Sequence, residues 1–180
     1  MLNEIKKTLT ILRNGGIILY PTDTVWGIGC DSKNSNAISR VFKIKKRINS
    51  KALISLVANT KQLKSITGII PNIDINSDPT TMIYPSAKGV SRKLLAENGS
   101  IGIRIVQDVF CQELINRFGG AIVSTSANIS GQANPNQFSE ISNEIKNNVD
   151  YIVNLRHDEL MTNPSRIFKI NKDGSITKIR

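Results

Sequence analysis

Short apolar runs alternate with amphipathic segments along nearly the whole chain of 180 residues. Ile5, Leu9 and Leu12 recur at helical spacing, and a Gly-Gly pair then separates that segment from the apolar run 17–20. Because each strand must bury a face, regular alternation with helices is typical of a sheet that helices cover. The pattern therefore predicts an α/β fold.

The remaining elements continue this alternation. Further strand patterns lie at 53–57, 81–84, 102–106, 121–124, 151–154, 166–170 and 176–179. Further helical patterns lie at 37–44, 61–66, 91–96, 109–118 and 139–147. Asp173-Gly174 marks a hairpin between the last two strands, so we expect an open, twisted, mixed sheet with flanking helices. The segments 21–29 and 67–79 are predicted to be loops, and the length fits a single domain over 1–180.

The charge of the chain predicts an anionic partner. Lys and Arg number 24 against 14 Asp and Glu, a formal charge of +10, which suits a nucleoside triphosphate, RNA or an acidic membrane surface. The sequence has no secretory signal and no apolar run long enough for a membrane span, so we expect a cytoplasmic protein. Cys30 and Cys111 are far apart and lack a CxxC pattern, so we expect reduced, buried thiols and no metal site.

Several common catalytic motifs are missing from the sequence. The chain has no GxxxxGK[ST] phosphate loop, and Gly27-Ile-Gly29 lacks the third glycine of a dinucleotide-binding fingerprint. His157 is the only histidine and no GxSxG motif accompanies it, so a Ser-His-Asp triad is not indicated. We therefore expect His157 to be a surface residue.

The segment 43–51 concentrates five cations after a predicted helix. Lys and Arg are favourable at a helix C-terminus, so a solvated helix end accounts for them. A polyphosphate clamp accounts for them as well, since a triphosphate carries several charges and needs several charge-assisted contacts. Composition leaves both interpretations open.

Two polar segments follow predicted strands. Ser124-Thr-Ser-Ala-Asn128 with Ser130-Gly131 offers hydroxyls and an amide, which suit either close approach of a phosphate or a capped turn. The segment 21–29 is either a binding loop at the end of a buried strand or a Pro/Gly turn with Trp26 in the core.

Arg104 interrupts the apolar strand pattern 101–106. An unpaired charge inside a strand of this kind is costly, so an anionic partner is expected. An internal Asp or Glu and a substrate carboxylate would serve equally well.

Taken together and in this order, these segments resemble the YrdC-like threonylcarbamoyl-AMP synthase family in its short, single-domain form. The residues that carry the resemblance are Pro21-Thr-Asp-Thr24 with Gly27 and Gly29, Lys45-x-Arg47 with Lys51-x-Leu53, Arg104, Ser124-Thr-Ser-Ala-Asn128, and Pro164-Ser165. The resemblance covers nearly the whole chain. It implies an open, twisted, mixed α/β sheet with a basic concave cavity that holds ATP on one side and L-threonine on the other.

The resemblance also implies roles for particular residues. The implied catalytic residues are Lys45 and Arg47. The implied ATP contacts are Arg47, Lys51, Ser100, Ser126, Asn128, Asn134 and Arg180, with Lys45 also on the phosphates. The implied L-threonine contacts are Thr24, Arg104, Ser124 and Ser165, with Arg104 as the partner of the carboxylate because a guanidinium can bind it through two hydrogen bonds.

The implied reaction joins L-threonine, bicarbonate and ATP into threonylcarbamoyl-AMP with release of pyrophosphate, for the threonylcarbamoyl modification of tRNA. It needs Mg²⁺ with ATP and no protein nucleophile, so the lack of a catalytic histidine does not count against an enzyme. The implied partner is a downstream tRNA threonylcarbamoyl transferase, and contact with tRNA or double-stranded RNA fits the net charge.

The sequence departs from the family pattern at several positions. Proline is common where this chain has Ile48 and Ala52, threonine is usual at Arg166, and some relatives have histidine at Leu56. Asp78-Pro79-Thr80 also replaces a Pro-Gly-Pro-like segment.

Two alternatives stay open on the sequence. A non-catalytic RNA-binding domain with a basic concave surface accounts for the charge, although an aromatic content of 5% leaves few side chains for base stacking. A related adenylating or carbamoyl-transfer enzyme that acts on another amine accounts for the motifs.

Overall fold

The computed structural model describes residues 1–46, 53–75 and 77–180. Its α-helices are α1 (Leu2–Arg13), α2 (Ser35–Ile44), α3 (Thr60–Thr67), α4 (Val109–Phe118) and α5 (Asn143–Lys146). Its strands are β1 (Ile18–Tyr20), β2 (Gly27–Gly29), β3 (Ile54–Val57), β4 (Thr80–Tyr84), β5 (Ile101–Ile105), β6 (Ile122–Ser126), β7 (Tyr151–Ile152), β8 (Arg166–Ile170) and β9 (Ile176–Lys178).

The strands form one open sheet in the order β7-β1-β2-β6-β3-β5-β4-β8-β9. The pairs β1–β7, β3–β5 and β4–β8 are parallel, and the other neighbouring pairs are antiparallel. The predicted mixed sheet with flanking helices is therefore confirmed, including the final hairpin of β8 and β9.

Three predictions of secondary structure differ from the structure, one of them only in the length of the helix. The segment 21–29 was predicted to be a loop, yet Gly27–Gly29 forms β2 between β1 and β6. A strand of three residues with two glycines has no apolar periodicity, so its pairing with β1 and β6 and the burial of Ile28 define it instead. The segments 91–96 and 139–147 hold only the 3₁₀ turns Arg92–Leu94 and Phe138–Glu140 and the short α5.

The buried side chains pack on both faces of the sheet. On one face, α1 and α4 cover Leu56 and Ile122, and Leu12 and Leu114 belong to the same cluster. On the other face, α2 and α3 pack over a larger cluster that includes Trp26. The helices α1 and α4 cover only part of their face of the sheet. The part that they leave open forms the floor of the cavity described below.

Both cysteines are buried and free, as predicted. Burial raises the pKa of Cys30 to about 12 and raises the pKa of Cys111 well above its usual range. His157 was predicted at the surface but is half-buried, because its ring stacks on Phe138 with centroids 4.0 Å apart. None of the helices in the described segments has the length and apolarity needed to cross a bilayer.

Candidate functional site

A cavity of about 310 Å³ opens on the uncovered part of the sheet. Seven residues with predicted ligand contacts line it, namely Thr24, Arg104, Ser124, Ser126, Asn134, Ser165 and Arg180. They come from five widely separated parts of the sequence, so the fold gathers both predicted half-sites in one place. This volume lies at the lower end of the range for small-molecule sites, about 300–1,000 Å³.

The strand register explains why these side chains meet. Residues that lie directly opposite each other on paired strands point to the same face. Arg104 of β5 lies opposite Thr81 of β4, and Ile54 of β3 lies opposite both Gly102 and Ser124. A Cβ atom at Gly102 would come within 3.0 Å of Ile54 Cγ2, so the absence of a side chain at this position leaves room for Ile54 on the sheet face near Arg104.

Arg104 carries the charge at the centre of the cavity and has an internal partner. Its Nη2 lies 2.9 Å from Asp23 Oδ1, and the two side chains are only 3% and 7% exposed. The other oxygen of Asp23 accepts the N–H of Gln107 at 3.0 Å. Within the described residues, Arg104 Nε has no hydrogen-bond partner. The predicted anionic partner is therefore confirmed as an internal carboxylate, and a guanidinium donor is still left over.

The loop before β2 presents Thr24 to the cavity. Thr22 Oγ1 accepts the N–H groups of Thr24 and Val25 at 3.1 and 3.3 Å, and lies 3.0 Å from Thr24 Oγ1. The Thr22 hydroxyl also donates to the carbonyl of Val25 at 2.8 Å. This closed set of hydrogen bonds fixes the position of the Thr24 hydroxyl.

Across the cavity, Ser165 is held from two sides. Its hydroxyl lies 2.9 Å from that of Thr81, and its carbonyl accepts a hydrogen bond from Arg180 Nη2 at 3.0 Å. Thr81 had no predicted role. Its position opposite Arg104 in the β4–β5 register is the signal that could have identified it.

Tyr20 lies fully buried next to the cavity floor and also had no predicted role. Burial raises the pKa of its hydroxyl, with a smaller contribution from the nearby Cys111 thiol, so the phenol stays neutral. Its ring lies against Gly27 and Gly29, where a Cβ atom would come within 3.5 and 2.7 Å of Cε1. Gly29 of β2 therefore makes room for the Tyr20 ring, whereas a Cβ atom at Gly27 would meet that ring at ordinary contact distance.

Lys45, a predicted catalytic and phosphate-binding residue, is 2% exposed and lies beside the cavity rather than in its lining. Its ammonium donates to the carbonyls of Ser126 and Asn128 at 2.5 and 2.7 Å, and to Asn128 Oδ1 at 2.9 Å. Because an ammonium has three N–H groups, these bonds occupy all of its donors. In this structure Lys45 fixes the end of β6 at Ser126 and the turn that follows it at Asn128, which are together called the Ser126 loop below.

Arg47 and Lys51 lie outside the described residues, as do Ile48 and Ala52. The described residues on either side of them are close to the cavity. Lys45 binds the Ser126 loop, and Leu53 belongs to the cavity lining.

Asn128 and Ser100, which were predicted to contact ATP, do not line the main cavity. Asn128 lines a neighbouring cavity of about 210 Å³, and Asn134 lines both cavities. Ser100 precedes β5, where its carbonyl accepts the N–H of Ala96 at 2.8 Å and its own N–H donates to Asn98 Oδ1.

Two departures from the family pattern contact each other. Arg166 lies 3.2 Å from the carboxylate of Asp78 and donates two hydrogen bonds to the hydroxyl of Thr80. This group ties the start of β8 to the start of β4. Leu56, another departure, is fully buried under α1 and α4 and does not line the cavity.

Comparison with known proteins shows the family. A family model, Sua5_yciO_yrdC, described as "Telomere recombination", matches residues 10–180. A threonylcarbamoyl-AMP synthase from Blochmanniella pennsylvanica is 35% identical over 174 residues, which cover 91% of this chain and 88% of that protein. A protein of the same name from Methylococcus capsulatus is 35% identical over 135 residues, 71% of this chain and 72% of that protein.

Two solved structures show the same fold. E. coli YciO superimposes with a TM-score of 0.83 at 22% identity, over 100% of this chain and 89% of that protein. P. abyssi Sua5 in complex with L-threonine superimposes with a TM-score of 0.83 at 23% identity, over 98% of this chain and 53% of that protein. This chain therefore spans about half the length of P. abyssi Sua5.

Proposed function

The chain belongs to the Sua5/YciO/YrdC family, and on that premise we propose that it is an L-threonylcarbamoyl-AMP synthase. The enzyme joins L-threonine, bicarbonate and ATP into threonylcarbamoyl-AMP and pyrophosphate for the threonylcarbamoyl modification of tRNA. One observation carries the proposal. Arg104 and the predicted hydroxyls for an amino acid share one cavity with Ser126, Asn134 and Arg180, which are predicted nucleotide contacts.

The amino-acid half of the cavity has the chemistry for L-threonine. Arg104 binds the substrate carboxylate, since its side chain lines the cavity and a guanidinium has further N–H donors beyond the Nη2 group that contacts Asp23. Thr24, Ser124 and Ser165 supply hydroxyls around it. These three groups hold the substrate hydroxyl and orient its amine toward the nucleotide half.

The nucleotide half begins at Ser126 and continues over Asn134 into the neighbouring cavity, where Asn128 lies. Arg180 adds a cation to this half, and Ser100 is a further nucleotide contact in the proposal. Arg47 and Lys51 bind the phosphates, which the positions of Lys45 and Leu53 on either side of them support. Lys45 acts with Arg47 at the phosphates by holding the Ser126 loop.

The reaction has two bond-forming steps. The threonine amine adds to the carbon of bicarbonate with loss of water, which forms N-carboxythreonine. An oxygen of the new carboxylate then bonds to the α-phosphorus as the bond from that phosphorus to pyrophosphate breaks. No covalent enzyme intermediate forms, so the protein contributes positioning and neutralisation of charge.

Mg²⁺ enters as part of the substrate MgATP in this proposal. The lining described here offers hydroxyls and an amide, and the described residues contain no group of three or more His, Cys, Asp or Glu side chains placed to hold a metal ion. Such a donor set fits an ion that keeps several waters and binds mainly to substrate phosphates. The ion would neutralise the pyrophosphate that leaves.

The proposal extends to the setting of the enzyme. Residues 1–180 form one catalytic domain that acts in the cytoplasm. Its product passes to a tRNA threonylcarbamoyl transferase, and the charge of +10 allows contact with tRNA or double-stranded RNA.

Pyrophosphate release tests the proposal. Purified protein is given MgATP and bicarbonate, with L-threonine, L-serine, L-valine or no amino acid. We expect release that requires both L-threonine and bicarbonate. Release that is independent of threonine would point to another amine substrate, and no release together with salt-sensitive RNA retention would favour the RNA-binding alternative.

A further inference from the structure

Arg156 lies outside the cavity lining and has an unusual backbone conformation. Its φ of 56° falls in the left-handed region, which residues other than glycine seldom adopt. Strain of this kind persists where the surrounding contacts determine the conformation, and it is frequent next to functional sites. The contacts of the Arg156 side chain therefore show which groups hold it in this conformation.

The guanidinium of Arg156 has three partners. Nε and Nη2 donate to the carboxylate of Glu159 at 2.6 and 2.7 Å. Nη1 donates to Asp108 Oδ2 at 2.7 Å and to the carbonyl of Thr22 at 3.1 Å. Two carboxylates surround one cation, so this group has no excess positive charge for a phosphate or for RNA.

The Thr22 carbonyl connects Arg156 to the cavity. The hydroxyl of the same residue accepts the N–H of Thr24 and lies 3.0 Å from the Thr24 hydroxyl, which lines the cavity. A shift of Thr22 would therefore move Thr24.

Asp108 connects Arg156 to a rigid element. One carboxylate oxygen of Asp108 caps α4 by accepting the N–H of Cys111 at 2.8 Å, and the other receives Arg156. The helix α4 is anchored in the core through Cys111 and Leu114, which are fully buried. Arg156 thus holds the Thr22 carbonyl at a fixed distance from this helix.

We propose, on the basis of the function proposed above, that Arg156 is a positioning residue of the threonine subsite, which fixes the Thr24 hydroxyl through the Thr22 carbonyl without touching substrate.

Two substitutions separate positioning from folding. Arg156→Ala removes the guanidinium and keeps the strained φ, whereas Arg156→Gly removes the guanidinium and relieves the strain. Arg117→Ala is the matched control, because Arg117 forms an exposed pair with Glu113 on α4 and has no contact with the loop. We expect Arg156→Gly to melt at a higher temperature than Arg156→Ala.

Steady-state kinetics then measure KM for L-threonine and for ATP separately. Both Arg156 variants should raise KM for threonine by about ten- to a hundredfold, as for other residues that orient a binding group, with KM for ATP unchanged. Arg117→Ala should match the wild type. Wild-type KM for threonine in Arg156→Gly, or a loss that follows melting temperature in the two variants, would overturn the inference.

Amide hydrogen exchange keeps this inference distinguishable from the proposed function. If the wild-type protein shows no turnover with threonine, the proposed function fails, yet the exchange rates of the Thr24 and Val25 amides still test the contact. Faster exchange in Arg156→Gly than in Arg117→Ala supports Arg156 as the residue that holds the loop, and equal exchange refutes it.

Discussion

Removal of the charge on Asp23 should destabilise the protein strongly, although the residue does not line the cavity. The Asp23–Arg104 pair is separated by 2.9 Å and almost fully buried. Two unit charges at that distance attract by about 6 kcal/mol at an effective dielectric constant of about 20. Desolvation offsets part of this, and loss of one partner from a buried pair costs about 3–5 kcal/mol because the other charge stays buried.

Three variants measure the pair directly. Asp23→Asn can keep the hydrogen bond from the Gln107 N–H, so it removes mainly the charge. Arg104→Met removes the cation, and the double variant leaves neither charge in the site. We expect each single variant to lose about 3–5 kcal/mol of unfolding free energy, and the double variant to be more stable than Asp23→Asn alone.

Urea unfolding at neutral pH without substrate is the assay. The double variant Glu113→Gln/Arg117→Met is the control, because that pair on α4 is exposed and worth less than about 1 kcal/mol. A loss below about 1 kcal/mol in Asp23→Asn, or strictly additive losses in the double variant, would refute the account of Arg104 as a buried cation with an internal partner.

Three further results are expected. Lys45→Met should lose at least about 1–3 kcal/mol of unfolding free energy, since it removes the donor of buried carbonyl oxygens of Ser126 and Asn128, and unchanged urea unfolding would refute this. Native protein at neutral pH should leave Cys30 and Cys111 unmodified by a thiol reagent until it is denatured, because burial raises both thiol pKa values. The hydrogen bond from Arg40 lowers the pKa of Asp150 in the folded protein. The Asp150 carboxylate therefore stabilises the fold at a pH above its unfolded pKa of about 4. This stabilisation is lost as the pH falls through the lower, folded pKa. The stability difference between wild type and Asp150→Asn should therefore shrink below about pH 4, and a constant difference would contradict this.

The elements with a strong periodic pattern were predictable from sequence. The helix α1 has apolar residues at helical spacing and a glycine stop, and the hairpin of β8 and β9 has an Asp-Gly turn. Local sequence determines both features. The strand β2 was missed because two of its three residues are glycines, which give no strand pattern, and because one of its two partners, β6, lies far away in the chain.

The site was predictable only in part. Burial made the need for an anion beside Arg104 predictable, but not which residue supplies it. An arginine inside an apolar strand requires an anion wherever that anion comes from, so a partner for Arg104 could be expected from sequence. Its identity as Asp23 depends on how the loop before β2 folds over β5, which no local pattern reports. Lys45 was predicted to act at the phosphates, and the contacts of its ammonium with Ser126 and Asn128 were not predictable from local sequence, because these residues lie about eighty positions away.

Departures from a family pattern are also hard to interpret one at a time. Arg166 and Asp78 each depart from the usual residue, and the structure shows them 3.2 Å apart with Thr80 between them. This contact joins the start of β4 to the start of β8. Sequence separation hides such a relation, because β4 and β8 are neighbours only in the sheet.

Detection of the adenylate itself tests the central claim most directly. The protein is incubated with MgATP, L-threonine and ¹³C-bicarbonate, and the products are analysed by mass spectrometry. We predict threonylcarbamoyl-AMP that carries the ¹³C label, together with pyrophosphate. Consumption of ATP without a labelled adenylate would contradict the claim that this cavity joins threonine, bicarbonate and the nucleotide.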